Sequence, residues 1–387
     1  MALSKIDVAN MLTGLVPNDN TIRRPNANAL IINGDLAVAQ RTTSTSSVSS
    51  GSNFVSDRFT FGPSTAGTWT ISQEAITSGS PFDDGFRTAF KADNTTANGS
   101  LSGGSNLQFA QKIEAQDLQV LKYGSSNAEK MTLCFWIKAT KTGTNVIEIF
   151  GHDSSRSVSV AYTVSSSNTW EYKVVNLPAD TGGTINNDSG TGLEFIWWLA
   201  AGTNFTSGSL QTSWAANSAT ARAVGQVNHA DSTSNNVHIT GVQLEVGEYT
   251  SSSIPPFQHE SYGDNIARCK RYYQGWGSVY DTGTFGISGR TISSNRFDSA
   301  TITFIPEMRA APTVAQGGTA DIENYVFQSD GDSITAGSGT SFAALNTQKG
   351  STKFRVTSNA TLSANRNANC QSGGGDGKQH LTFTAEL

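Results

Sequence analysis

This sequence is short of most of what enzymes and nucleic-acid-binding proteins carry in abundance. Charged residues make up 15% of its 387 positions, and the formal net charge is -5. A chain so sparsely charged, with a slight acidic excess, has no basic footprint for a phosphate backbone, so nucleic acid is not an expected partner. Cysteine is scarce. Cys134, Cys269 and Cys370 are odd in number and far apart. They form neither a disulfide framework nor a zinc cluster and read as small buried hydrophobes. No apolar run approaches the roughly 18 residues of a membrane span, so no membrane insertion is expected. The opening MALSKIDVAN lacks the charged-then-apolar layout of a signal peptide, which predicts synthesis in a cytoplasm without export.

Catalytic signatures are missing as well. There is no G-x-S-x-G, H-E-x-x-H, P-loop or C-x-x-C. The histidines, at 152, 229, 238, 259 and 380, show no ligand spacing, and no metal site is expected. His152 with Asp153 reads as the cap of a turn at a strand end. Glycan hydrolysis needs two carboxylates flanking one bond. Asp83 and Asp84 are adjacent, and neighbours on a strand point to opposite faces, so SPFDDGFR reads better as a surface turn. The expectation is a protein that is not an enzyme and carries no cofactor.

What is present is Ser, Thr, Asn and Gly, with 38 glycines, around hydrophobics at 36%. That composition suits short strands with many turns. The length predicts two or three domains. Residues 1–28 stand apart. Ser4 and Asp7 form a capping-box pattern, and Leu3, Ile6, Ala9, Leu12 and Leu15 make one apolar stripe on a short helix that Gly14 and Pro17 stop. A helix so short must dock on something, and Leu3, Ile6, Leu12 and Leu15 are its docking residues. PNDNTIRRPNAN reads as an extended linker.

From residue 29 onward strands dominate. NALIINGDLAVAQR gives two apolar runs about a turn at Asn33-Gly34. Alternation marks Phe59, Phe61, Trp69 and Ile71, then Met131 to Lys138, Asn145 to Phe150, and Val158, Val160 and Tyr162. TWEYKVVNLP, GLEFIWWLAAG and NNVHITGVQLEVGE complete an antiparallel sandwich over 29–258. EAQDLQVL, 114–121, is a local helical candidate. GDNIARCKRYYQGW then reads as a helical connector over 259–274, with Asp264 as N-cap and Gly275 as stop. It places Ile266, Cys269, Tyr272, Tyr273 and Trp276 between the two β-regions as packing residues. Arg268, Lys270 and Arg271 make a basic spot, read as a solvated helix face or a salt bridge between subunits. Residues 275–387 return to strands separated by Gly-rich turns and form a second, C-terminal β-sandwich. The fold class is all-β.

The chain has seven tryptophans, and candidate sugar platforms are sought among them because sugar C–H faces stack on rings. In LCFWIKA the apolar set Leu133, Phe135, Ile137 takes the core face and leaves Trp136 on the other. In LEFIWWLA the set Leu193, Phe195, Trp197, Leu199 does the same and leaves Trp198. Two fates are open for Trp136 and Trp198: solvent exposure, or cover by a loop or a sister subunit. Trp214, in the loop-like GSLQTSWAANSA, is the third candidate for carbohydrate binding.

The run LIINGDLAVAQR, then DRF, MTLCFWIKA, HITGVQLEVGE and PPFQHESYGDNIARCKRYYQ, over roughly 29–274, resembles virion proteins of tailed bacteriophages, of the tail-fibre or receptor-binding type. That resemblance implies a homotrimer held in the phage tail through residues 1–28, made in the host cytoplasm, and adhering to a host surface glycan. It is equally compatible with a head fibre, a capsid decoration protein or a tail adaptor without a glycan site. A glycan depolymerase with an acidic pair in a cleft is a further alternative. The first domain also resembles jelly-roll carbohydrate-binding modules, whose opening and closing strands often hold calcium. Asp35 matches the opening, but Ile239-Thr240-Gly241-Val242 lacks the paired acids that calcium requires.

Overall fold

A computed structural model describes residues 29–276, 286–317, 325–329, 332–335, 340–358, 361, 362, 364, 366–372 and 380–387. The expected docking helix with Leu3, Ile6, Leu12 and Leu15 lies outside them. The first β-region contributes β1 (Ser44–Val48), β2 (Phe59–Ser64), β3 (Thr68–Ala75), β4 (Thr88–Thr96), β5 (Asn106–Glu114) and β6 (Met131–Ala139). It continues with β7 (Gly143–Gly151), β8 (Arg156–Val164), β9 (Glu171–Leu177), β10 (Thr191–Ala201), β11 (Ala215–Ala216) and β12 (Asn236–Val246). Two antiparallel six-stranded sheets result, a front sheet β1-β3-β4-β12-β6-β9 and a back sheet β11-β8-β7-β10-β5-β2. The chain crosses repeatedly between them, as in jelly rolls.

Both sheets close on one core. Met131, Leu133, Phe135 and Ile137 of β6 meet Leu193, Phe195, Trp197 and Leu199 of β10 there, as alternation predicts. Phe135 and Trp197 pack edge to face, 5.6 Å between centroids. On β12 the inward parity switches, from Val237 and Ile239 to Val242 and Leu244. The switch is a bulge between Thr240 and Gln243. Gly241 sits there at φ +61°, with the Phe86 ring 2.8 Å from where a Cβ would be. Only glycine combines that backbone with that close approach.

LIINGDLAVAQR departs from its sequence reading, for no strand forms over 29–43. Asn33 takes φ +61°. Its side-chain amide donates to the carbonyls of Val38 and Asp57 and accepts from Val38 N at 2.9 Å. Those bonds replace the ladder a strand would make. Gln111 does the same for Ile32, donating to its carbonyl at 2.8 Å and accepting from its N–H at 3.1 Å. The segment is buried without being a strand.

Among the described residues helices are few and short: α1 (Ser80–Asp83), 3-10 turns over Ala115–Leu121 and Ala219–Ala221, α2 (Thr203–Thr206) and α3 (Tyr262–Lys270). The connector helix starts and stops elsewhere than its pattern suggests. Ser261, not Asp264, is the N-cap, accepting from Asp264 N at 3.1 Å and donating to the Asp264 carboxylate at 2.7 Å. This reciprocal pair starts the helix earlier. Gly275 lies in a strand rather than at the stop, because β13 (Tyr273–Trp276) pairs with the last strand.

The second β-region has β14 (Gly286–Ser293), β15 (Arg296–Ser299), β16 (Ile302–Thr303), β17 (Thr313–Gly317), β18 (Tyr325–Ser329) and β19 (Asp332–Thr335). β20 (Ser341–Leu345), β21 (Ser351–Thr357), β22 (Asn367–Ser372) and β23 (His380–Thr384) follow. They form a small sheet β13-β23-β17 and a larger one, β16-β21-β15-β14-β22-β18-β19, with β20 also on β21. Both share a core including Phe297, Phe304, Phe354 and Phe383.

The seam between the two regions joins a small apolar cluster to buried ion pairs. Ile266, Cys269 and Tyr272 join Ile32, Val38 and Leu387 in one small cluster. Tyr273 pairs with Thr384, and the backbone of Trp276 with that of Leu381. The Tyr272 hydroxyl donates to Glu114 at 2.6 Å, and Arg271 grips the same fully buried carboxylate at 2.6 and 2.8 Å. Burial pushes the Glu114 carboxyl up, but Arg271 and Tyr272 outweigh it and hold it below the usual range. Arg41 and Arg58 both pair with Glu386.

Candidate functional site

The two sheets carry one candidate tryptophan each on their outer faces, and the faces differ. On the back sheet, Trp198 is fully buried. Residues 202–230 fold over it: Phe205 lies 5.1 Å away between centroids, and Ala223 joins the same cluster. The indole N–H donates to Glu148 at 3.0 Å, and Arg222 donates to both oxygens of that carboxylate at 2.8 and 2.9 Å. Burial pushes the Glu148 carboxyl above its ordinary range, and Arg222 pulls it part of the way back. Trp198 is therefore no sugar platform. Its N–H must be satisfied once the cover excludes water, and Glu148 with Arg222 is the arrangement that does so.

Trp214 is also held rather than displayed. Its indole N–H donates to the Pro178 carbonyl at 2.7 Å, and its ring meets Tyr123 edge-on at 5.7 Å. It is half-buried against the main core despite its loop-like neighbours. Polar composition places a segment at the surface but does not decide where its one aromatic points.

Trp136, on the front sheet, has a different setting. It is half-buried and lies directly across from Tyr172 of β9, 5.1 Å between ring centroids. Trp170 stands beside them, with Lys138 Nζ 5.2 Å from its ring centre and His238 packed edge-on at 5.9 Å. TWEYKVV puts Trp170 and Tyr172 on one face by its alternation. The same signal that picked out Trp136 marks them, and the sequence reading passed over both. His238 Nε2 contacts Glu74 at 2.6 Å. Burial and the Lys138 charge lower the His238 pKa to about 4, despite Glu74, so at neutral pH the ring is uncharged and donates Nε2–H to Glu74. Cys134, on the same face, is inert as a nucleophile, since burial pushes its thiol up to about 12.

Phe82, Phe86 and Phe257 pack around Trp136 and Trp170. Phe257 also lines a groove, a cavity of about 570 Å³ between the end of β12, the return segment 249–260, residues 29–35 and Val120, Lys122 and Glu129; Trp136, Trp170 and Tyr172 are not among its lining residues. Leu30, Val246, Tyr249 and Pro255 supply apolar wall, and Asp35, Glu129, Glu245, Glu248 and Glu260 supply carboxylates, of which Glu129, Glu248 and Glu260 are paired with Lys122, Lys130 and Arg268. Burial raises the Glu245 carboxyl, and Gln243 donates to it at 2.9 Å. Ring faces plus oxygen acceptors in a concave wall of this volume suit a small polyhydroxylated ligand.

Asp35, the residue matched to a calcium-binding opening, accepts from Asn265 Nδ2 at 3.1 Å. Its neighbour Gly34 accepts from Val242 N at 2.8 Å, so the opening and closing stretches do meet. Among the described residues no group of three or more His, Cys, Asp and Glu side chains converges on one point.

No protein-family profile matches this chain, and no curated protein is significantly similar to it. Solved structures give distant matches. A domain of bacteriophage CBA120 tailspike protein 4 is 16% identical, TM-score 0.28, over 52% of this chain and 21% of that one. This chain thus spans about a fifth of that tailspike domain. A sugar-binding protein from Bacteroides thetaiotaomicron is 15% identical, TM-score 0.31, over 57% of this chain and 100% of that one. A family 11 carbohydrate-binding module from Clostridium thermocellum is 8% identical, TM-score 0.26, over 54% and 99%. Likeness at this level carries no argument about ligand or role.

Proposed function

We propose that this protein is a host-recognition component of a tailed-phage particle, and that its first sandwich binds a neutral surface glycan without cleaving it. The observation that carries the ligand class is the groove lined by Leu30, Tyr249 and Phe257 together with the Asp35 and Glu245 carboxylates, joined through Phe257 to the aromatic cluster of Trp136 and Trp170. Neutral sugars offer C–H faces to rings and hydroxyl donors to Asp35 and Glu245, the two lining carboxylates that form no ion pair with a described residue, and those two charges disfavour anionic ones. The particle assignment rests on the resemblance carried by the motifs over roughly 29–274, and the homotrimer is what that resemblance implies. Three weak sites on one fibre would gain by multivalency. In this reading Trp136, Tyr172 and Phe257 stack on the ligand, and Glu245 orients it.

A neutral-glycan array with the full chain tests the ligand. Binding that falls sharply in Trp136→Ala and in Glu245→Gln supports the reading, and a silent array refutes it. Antibody labelling of intact particles tests the location. Label on heads would replace the tail-fibre assignment with a head-fibre or decoration role, and light scattering of the purified chain tests the trimer.

A further inference from the structure

The second β-region presents a surface of opposite character on its larger sheet. Its inward residues, Ile287, Phe297, Phe354, Val356, Ala368 and Cys370, fill the core. The alternate residues face outward, and the strand register sets four of them in a row. Arg355 of β21 pairs across to Asp298 of β15, Asp298 to Arg290 of β14, and Arg290 to Asn367 of β22. At strand spacing that row is about 14 Å long. A parallel row begins with Ser288 opposite Asn369, joined Oγ to Oδ1 at 2.9 Å. Lys353 stands two residues along β21 from Arg355, on the same face.

These side chains border an open cavity of about 930 Å³. Its lining contains no aromatic residue and three cations, Arg290, Lys353 and Arg355, against one carboxylate, Asp298. The excess is two positive charges in a chain whose formal net charge is -5. Asp298 accepts two bonds from Arg355, both 2.7 Å, so one cation is already matched. Arg290 and Lys353 are exposed and form no ion pair with a described residue.

We propose that this face is a second saccharide site, selective for acidic sugars, with Arg290 and Lys353 taking the carboxylates and Asn367, Asn369 and Ser288 the hydroxyls. The guanidinium fork of Arg290 matches a carboxylate with two parallel bonds. The amides both donate and accept, as ring hydroxyls require. Arg355, fixed by Asp298, is a positioning residue that keeps Asp298 turned away from the ligand. An extended row fits a chain of sugars better than a single small anion. The missing aromatics argue against single-stranded nucleic acid, which binds by stacking its bases. This inference is independent of the glycan reading of the first sandwich.

The test uses the full chain and titration against polygalacturonate, hyaluronate and a sialylated glycan, with galactan as the neutral control. Acidic polymers are expected to bind, and more weakly as salt rises from about 0.05 to about 0.5 M. Arg290→Ala with Lys353→Ala is expected to lower that affinity by about tenfold or more with no change in Tm, since both side chains are exposed. Asn367→Asp, which adds a carboxylate to the row, is expected to act in the same direction. Trp136→Ala is expected to leave acidic-polymer binding intact, which separates this site from the first. The proposal is overturned by a wild-type chain that binds none of the three acidic probes, or by variants that bind as wild type. Tighter binding of a single-stranded oligonucleotide than of any acidic glycan would reassign the face to nucleic acid.

Discussion

The front and back sheets of the first sandwich are built alike, and each carries a tryptophan on its outer face at the strand position alternation predicts. Trp198 ends fully buried, its N–H on Glu148, beneath residues 202–230. Trp136 ends half-buried beside Tyr172, in an aromatic cluster that shares Phe257 with a groove. The strands themselves do not make the difference. A long excursion after β10 folds back over the back sheet and brings its own polar partner, Arg222, to match Glu148. The front sheet is met by α1, the return segment and residues 34–37, which roof part of it and leave a concavity. A binding face on a sandwich is therefore defined as much by which connection is short as by which strand is aromatic.

Breaking the back-sheet cover should have the largest effect. Trp198→Ala removes a fully buried indole and leaves Glu148 short of a donor. A loss of about 3–5 kcal/mol is expected in urea unfolding, with glycan binding of the folded fraction unchanged. Trp136→Ala should give the converse, a large fall in glycan affinity with a much smaller stability loss. If both variants lose stability equally, the contrast between the faces fails.

Acid should also act on the sealed side. His229 is fully buried, with Nε2 2.7 Å from Asn145 Oδ1. Burial, with the nearby Lys141 charge, lowers its pKa from 6.5 to about 4. Between those values the unfolded chain binds a proton that the folded chain refuses. Stability is thus complete above pH 6.5 and falls on acidification toward pH 4, by up to roughly 3 kcal/mol from this group. Unfolding curves of wild type and His229→Gln across that window measure it, and a parallel pH dependence would contradict the assignment. The seam adds its own loss lower down. Glu114 is held below its ordinary 4.5, so its contribution is present above that value and disappears as pH falls through the depressed one. In Glu114→Gln this acid limb should flatten, while the protein is less stable at neutral pH because Arg271 loses its partner.

The smallest expected effect is local to the front face. Gly241→Ala places a methyl against Phe86 and strains a φ of +61°. A cost of about 1–3 kcal/mol is expected, along with a shifted Phe86 and weakened glycan binding. Unaltered affinity would mean that the roof over Trp136 does not shape the groove.

Much of this was legible in the sequence. The inward sets of β6 and β10 follow from period-two alternation. LIINGDLAVAQR misled because an apolar run with a turn is also what a buried irregular segment looks like, once Asn33 and Gln111 supply the missing backbone partners. Trp214 misled because its polar neighbours say nothing of the Pro178 carbonyl its indole reaches. The groove had no linear signature, since Leu30, Val120 and Glu245 come from three distant stretches.

By itself the sequence determined the all-β class, the strand faces and the split into two β-regions, because alternation and turn residues act over a few neighbours. Tertiary structure decided which outer face is covered, which carboxylates meet cations, and where concavities remain. Those outcomes depend on contacts between residues 50 to more than 300 positions apart, such as Trp198 with Glu148 and Arg58 with Glu386. Only the closing of the sandwich and its docking on the second region bring such pairs together and exclude the water that would otherwise serve them.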